Sequence, residues 1–379
     1  MVIYFDAAAT TLEKPPQVRR AVARAVNSMS SPGRGDHPAA RAAEETAFRC
    51  RMEAAELFGV DRPENVIFTF NATHGLNIAI RSLVRPGSRV VISGYEHNAV
   101  TRALHAIDDV TLMVVDTPPF HPELAAEEFE TAIAQGVDVV ICNHVSNVFG
   151  CVQPVDQVAG SCRRHGVPLI VDASQSAGVL PVRMDEWGAA FIAMPGHKGL
   201  YGPQGTGLLL CGAPSQPVLF GGTGSASRQQ DMPEDLPDRL EAGTHNMPGI
   251  AGLLEGIRFV KKMGTDHIAD HERQLTKRAA QILEQTPGIH TYVADDPLNQ
   301  VGVLSFWVEG RDCEELGEGL ARRGIAVRSG LHCAPLAHRT VGTLEHGTVR
   351  LSFSALNTLE QMDCFAARWQ DVLREKVTF

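Results

Sequence analysis

Lys198 is the residue whose setting most clearly invites chemistry. It lies in MPGHKGLYGPQGTG (194–207), directly after an apolar run, with glycines at 196, 199, 202, 205 and 207 and another at 212. Such a lysine is either a surface-loop residue or an amine held in a cleft, where it can lose its proton and form a Schiff base with a carbonyl. The glycine-rich tail has neither the GxxxxGK[ST] order of a P-loop nor the strand–GxGxxG–helix context of a dinucleotide fold. Asp172, 26 residues earlier, ends the apolar run of PLIVDAS (168–174). Open α/β sheets place ligands at the carboxyl ends of their strands. A carboxylate at that depth needs a cationic partner or it protonates, unless it serves as a helix N-cap or turn residue. Nearer the C-terminus, Arg350 in GTVRLSFS reads as a strand arginine, and Cys333 in RSGLHCAP precedes it by 17 residues, in a loop. Most strand arginines point to solvent, and a lone cysteine is usually a small buried hydrophobe.

These residues need a scaffold, and the first half of the chain alternates helix-like and strand-like segments. Helical spacing covers 16–30, 37–58, 98–106 and 122–135. Apolar runs at 65–70, 88–93, 111–116, 137–146, 168–174, 188–196 and 205–212 read as strands. Continuous apolar strands separated by helices predict a mostly parallel sheet covered on both faces. Residues 220–249 are rich in Gly, Pro, Ser and Asp, without a sustained period. So long an irregular connection in a compact domain usually has a functional use. A long helix is expected over 249–285, then strand 301–308, helix 312–323, strand 325–328, loop 329–346, strand 348–353 and helix 358–375. This last part reads as a smaller α+β unit.

Composition narrows the class. The chain has 379 residues, 44% of them hydrophobic and 21% charged, which predicts two or three folded domains with a sizeable core and excludes extensive disorder. A net charge of −10 argues against a nucleic-acid binder. No apolar run reaches the length of a membrane helix, and the N-terminus lacks the basic and apolar regions of a secretory signal, so a cytoplasmic location without membrane attachment is expected. The eight cysteines form no CxxC pair, so no metal site is expected, and most thiols should be buried in a reducing compartment.

The same motifs, in order from YFDAAATT (4–11) to RLSFSALNT (350–358), resemble a pyridoxal-phosphate enzyme of the class V aminotransferase group, and more narrowly a group II cysteine desulfurase. The resemblance implies fold type I, with a seven-stranded, mostly parallel large domain over 14–248 and a smaller α+β domain from 1–13 and 249–379. It implies pyridoxal 5'-phosphate as cofactor. Lys198 resembles the lysine that holds the cofactor's aldehyde, and Asp172 the partner of its pyridine nitrogen. Gln175 resembles the partner of the phenolic oxygen, and His97 the histidine that stacks on the ring and relays protons. Asn147 resembles an asparagine touching substrate or cofactor. Thr73, the backbone of His74, and His197 resemble the phosphate cup, a role that suits a strand-to-helix junction whose free N–H groups face an anion. Thr244 resembles the threonine that reaches the phosphate of a neighbouring subunit, implying a homodimer with composite sites.

For the substrate, the resemblance implies that Arg350 binds the α-carboxylate with its guanidinium fork. Cys333 matches the cysteine that takes sulfur from L-cysteine as a persulfide, releasing L-alanine, and His332 is expected to help ionise it. A sulfur-acceptor protein is a further implied partner. The chain departs from the family pattern at Pro195, where a phosphate-binding serine is usual, at His74, which replaces an acidic residue, and at Leu331, which replaces a second histidine. A selenocysteine lyase acting on L-selenocysteine, or a class V aminotransferase acting on another amino acid, are the alternative readings.

Overall fold

The computed structural model describes residues 2–33 and 35–374. The chain opens with strand β1 (Ile3–Tyr4). It then lays down β2 (Val66–Thr69), β3 (Arg89–Ser93), β4 (Thr111–Val115), β5 (Val139–Asn143), β6 (Leu169–Asp172), β7 (Phe191–Pro195) and β8 (Gly207–Cys211). The C-terminal part adds β9 (Ile289–Thr291), β10 (Val303–Val308), β11 (Ile325–Ala326), β12 (Arg328–Gly330) and β13 (Thr348–Ser352).

Strands β2 to β8 form one seven-stranded sheet in the order β2-β8-β7-β6-β5-β3-β4. Only β8 runs against its neighbours, so the sheet is mostly parallel, as the apolar runs predict. Alternate side chains leave each strand on opposite faces. Val140, Val171, Ile192 and Leu208 pack with helices Pro38–Phe58, Pro122–Ala134, Val155–His165 and Met247–Met263. Ile141, Ile170, Ala193 and Leu209 pack with helices Ala72–Leu83 and Asn98–His105. Burial on both faces is why these strands lack a polar alternation.

A second, antiparallel sheet has the order β12-β13-β10-β9, and its core joins Phe306 and Leu351 to Trp369 of helix Leu359–Arg374. Strand β1 pairs in parallel with β11, so the chain's start is tied to its C-terminal part. Among the described residues no helix is long and apolar enough to cross a membrane.

The structure corrects several expected elements. The long helix over 249–285 is two helices, Met247–Met263 and Thr265–Leu283, separated at Gly264, whose φ of 83° lies outside helical space. The expected loop 329–346 contains β12's last residues and helix Pro335–Val341. The single run 325–328 divides between β11 and β12, which belong to different sheets. Helix Val155–His165 and the short β9 escaped the sequence reading.

Close packing against the lysine loop sets one glycine in helix Met247–Met263. A Cβ on Gly256 would lie 2.1 Å from the Leu200 carbonyl oxygen, whereas a Cβ on Gly160 would meet only the flexible end of Arg164, at 3.5 Å. Gly256→Ala should therefore cost about 1–3 kcal/mol or more and lower the thermal midpoint. Gly160→Ala should leave it unchanged or raise stability by up to ~1 kcal/mol. Thermal denaturation of both variants beside the wild type checks the contrast.

Candidate active site

Five strands of the large sheet deliver their carboxyl ends to one place. The residues that follow β2, β3, β5, β6 and β7 wall a cavity of about 220 Å³, closed on the other side by Ala8 and Ala9 and by Arg328, His332 and Arg350 of the C-terminal part. Open α/β sheets bind ligands at such strand ends. Register brings the key residues side by side: Asn143 opposes Asp172 across β5 and β6, and Asp172 opposes Ala193 across β6 and β7. Of the residues singled out in the sequence, Thr73, His97, Asn147, Asp172, Gln175, His197, Lys198 and Arg350 line this cavity. His74, Cys333 and Thr244 do not.

Lys198 follows β7 by three residues in a loop whose glycines serve packing. A Cβ on Gly199 would lie 2.4 Å from the Ala177 carbonyl oxygen, and one on Gly196 would lie 2.2 Å from Thr206 Oγ1. The amine is pushed down to about 8, chiefly by burial, with Arg350 and Arg328 adding to the shift and Asp172 and Asp6 opposing it. An unprotonated amine is thus accessible near neutral pH, which nucleophilic or basic chemistry requires. Asp172 is buried, and one of its oxygens accepts the Ser174 N–H at 2.9 Å.

The histidines of the cavity are neutral. His97 caps helix Asn98–His105, its Nδ1 accepting the Ala99 N–H at 3.0 Å, and burial pushes the ring down to about 4. An acceptor at Nδ1 leaves the proton on Nε2. His197 is likewise pushed down to about 4 by burial, with Lys198 and Lys14 contributing, and its Nδ1 pairs with Thr10 Oγ1 at 3.0 Å. Asn71 caps helix Ala72–Leu83 by taking the His74 N–H at 2.9 Å. Ala72 and Thr73 therefore present the first turn to the cavity, while the His74 ring stacks on Phe70 at 4.8 Å.

Arg350 is 1% exposed. Its Nη2 donates to Asp6 Oδ1 at 2.7 Å and its Nη1 to the Asn147 carbonyl at 2.9 Å, leaving a buried Nε without a partner. Arg328 is its cross-strand neighbour on β12 and lines the same cavity. Arg328 Nη2 also reaches Cys333 Sγ at 3.3 Å. Cys333 is exposed, and both it and His332 adopt left-handed backbone, with φ of 59° and 50°, which non-glycine residues seldom do. The Cys333 carbonyl accepts the Asn98 N–H at 2.9 Å, and Asn147 Nδ2 donates to the His332 carbonyl at 2.7 Å, so the cysteine loop is anchored to two walls of the cavity.

The expected ionising role of His332 is corrected. Its Nε2 pairs with Thr348, and burial together with Arg350 holds the ring well below its ordinary value. The cation at the sulfur is Arg328. Arg328 and Asp6 escaped the sequence reading. Arg328 opens the RSGLHCAP motif and could have been found from its place five residues before Cys333. Asp6 carries no local signal, because its partner is 344 positions away.

These residues fit pyridoxal phosphate. A helix start with Thr73 and His197 suits an anion at one end, a strand-end carboxylate and a neutral histidine suit a protonated pyridine, and a lysine of lowered pKa suits an aldehyde. Asn147 Oδ1, like Arg350 Nε, is buried without a partner, as expected of a wall built to meet a polar ligand.

The cap geometry makes the His97 ring testable. Nitrogen NMR of the imidazole should show the Nε2–H tautomer from pH 6 to 8, with protonation only as pH falls toward about 4. A ring charged at neutral pH would contradict the geometry.

Comparison with known proteins identifies the family. The Aminotransferase class-V family model matches residues 3–365. A probable cysteine desulfurase of Methanothermobacter thermautotrophicus is 31% identical over 383 residues, covering 98% of this chain and 94% of that protein. A probable cysteine desulfurase of Mycolicibacterium paratuberculosis is 31% identical over 376 residues, covering 96% of this chain. The chain spans 54% of that relative's length and 61% of a second one from Mycobacterium leprae. The apo structure of a cysteine desulfurase from Thermococcus onnurineus superposes with a TM-score of 0.88 at 29% identity, covering 98% of this chain and 95% of that one. With the lysine, the strand-end aspartate and the arginine pair facing one cavity, these matches show that the chain belongs to the class-V aminotransferase family.

Proposed function

We propose that this chain removes sulfur from L-cysteine, releasing L-alanine and holding the sulfur as a persulfide on Cys333. One observation carries the reading: an exposed thiol, in contact with Arg328, is anchored to the walls of a cavity that holds Lys198, Asp172 and Arg350. Six of the other cysteines are buried, and the seventh, Cys364, lies on helix Leu359–Arg374 away from this cavity.

Lys198 would hold pyridoxal phosphate, which when bound would supply an electron sink for charge developing at the substrate Cα. The remaining work falls to the chain. Asp172 would keep a proton at the pyridine nitrogen. Gln175, whose Nε2 donates to the Ala8 carbonyl at 3.1 Å, lines the same cavity as Lys198 and would meet the phenolic oxygen. Arg350 receives the α-carboxylate with N–H groups that Asp6 and Asn147 leave free. Lys198, uncharged in part near neutral pH, takes the Cα proton. The Cys333 thiolate then attacks the substrate sulfur: an S–S bond forms, the Cβ–S bond breaks with its electrons going to carbon, and alanine is complete once Cβ takes a proton and Lys198 returns one to Cα. Arg328 offsets negative charge at the sulfur throughout.

The proposal includes a homodimer, and a division into 14–248 and 1–13 with 249–379; the β1–β11 pairing supports joining the first residues to the C-terminal part, whereas helix Met247–Met263 packs on the large sheet. Thr244 is exposed and does not line this chain's own cavity, and we assign it to the phosphate of the neighbouring subunit. Eight free thiols fit a reducing, cytoplasmic setting.

Cys333→Ala should lower sulfur release from L-cysteine by two to four decades, about 3–5 kcal/mol of transition-state stabilisation, while the bound cofactor keeps its visible absorbance. Lys198→Ala should abolish turnover and that absorbance together. Alanine and sulfide or selenide are measured from L-cysteine and L-selenocysteine in parallel. Undiminished desulfuration by Cys333→Ala would defeat the persulfide reading, and turnover confined to L-selenocysteine would favour a lyase.

A further inference from the structure

Glu96 is fully buried directly before His97, and the chemistry above gives it no task. Its Oε1 accepts the Asn143 backbone N–H at 2.7 Å and lies 2.8 Å from Ser93 Oγ. Ser93 Oγ also lies 2.6 Å from Asn143 Oδ1 and accepts the Tyr95 N–H at 3.2 Å. The Asn143 amide is oriented by its Nδ2, which donates to the Tyr95 carbonyl at 2.9 Å, so Oδ1 must face the serine.

Counting protons then leaves one short. A serine hydroxyl has a single proton. It can serve Asn143 Oδ1 or Glu96 Oε1, but not both. If Glu96 were a carboxylate, one of these two contacts would press bare acceptors together in a buried site. Its Oε2 is also buried without a partner, a poor setting for a charge. A proton on Oε1 resolves the count: Glu96 donates to Ser93 Oγ, Ser93 donates to Asn143 Oδ1, and Oε1 still accepts from the Asn143 backbone.

We propose that Glu96 is a positioning residue that carries a proton at Oε1 in the folded protein and, through Ser93, locks Asn143 in the cavity wall beside Asp172. Its neutrality also keeps a second negative charge away from Asp172. The titratable groups facing it are Asp172 on β6 and the Cys142 thiol on β5. Helix Pro335–Val341 meets this loop through Thr340, which donates to the Gly94 carbonyl at 3.1 Å, while its His338 pairs with Thr343. Burial and Asp172 together push the Glu96 carboxyl up from 4.5 to about 8, in line with the geometric count. This inference stands apart from the substrate reading and holds whichever amino acid the site accepts.

The sign of the linkage is fixed. A folded-state value raised above the unfolded one means that unfolding releases a proton between about pH 4.5 and 8. Stability from this group is complete below that window and declines through it. Relative to Glu96→Gln, the unfolding constant of the wild type should rise about tenfold per pH unit across the window and run parallel outside it. Chemical denaturation of both proteins from pH 5 to 9 reads this directly. Infrared spectroscopy gives a second measurement that does not need Glu96→Gln to fold. Glu272 is also buried and pushed up to about 8, so the experiment uses Glu272→Gln protein with carbon-13 glutamate. A label-sensitive protonated-carboxyl band at pH 7 is expected. Parallel stability curves, or the absence of that band, would overturn the proposal.

Discussion

The site rests on a buried guanidinium. Arg350 sits on β13 of the small sheet, yet its two terminal nitrogens bind Asp6 near the chain's start and the carbonyl of Asn147 just beyond β5 of the large sheet. A buried cation requires such partners, because an unpaired one is far costlier than any single hydrogen bond is worth. Satisfying this one group therefore joins three distant stretches of chain. Asp6 is itself held by a bridge to Ser352, two residues beyond Arg350, and the Ala8 N–H donates to Ser352 Oγ at 2.9 Å. The small sheet cannot shift against the strand ends without stranding the charge.

The same geometry explains why the cavity is assembled from parts with separate tasks. The large sheet supplies rigid strand ends, where Asn143, Asp172 and Pro195 are held by backbone pairing on neighbouring strands. The small sheet supplies Arg350 and Arg328 as cross-strand neighbours. Two like charges in that relation repel and are tolerated only near anions. Asp6 answers one of them, and an incoming carboxylate answers both. Cys333 lies outside the cavity lining, on left-handed backbone and exposed, in a loop anchored at its backbone to the cavity walls.

Most of the large sheet was legible because its strands are buried on both faces and read as unbroken apolar runs, with Asp172 and Lys198 falling at their ends. The small unit was less legible. β9 has only three residues, two half-buried around an exposed His290, and the break at Gly264 lies between two helices whose patterns run together. Residue roles divided along similar lines. Lys198, Asp172 and Cys333 announce themselves through local context, whereas Asp6 does not, since its meaning lies in a partner at the other end of the chain. His332 misled because adjacency in sequence is no guide to which way a ring faces: it turns to Thr348, and Arg328 takes its expected place at the sulfur.

Charge balance in the cavity follows from these assignments. His97, His197 and His332 are held neutral by burial, and Glu96, protonated, adds no negative charge. Asp6 is matched to Arg350, leaving Asp172 to face Lys198 and Arg328. The walls are thus short of negative charge, although the chain as a whole carries −10. A concave, partly desolvated site with surplus positive charge concentrates anions against the sign of the surrounding surface. A phosphate and an amino-acid carboxylate bound together would fill that deficit, and each then lowers the cost of holding the arginine pair. Loading the site should for this reason tighten the junction between the two sheets as well as prepare it for reaction.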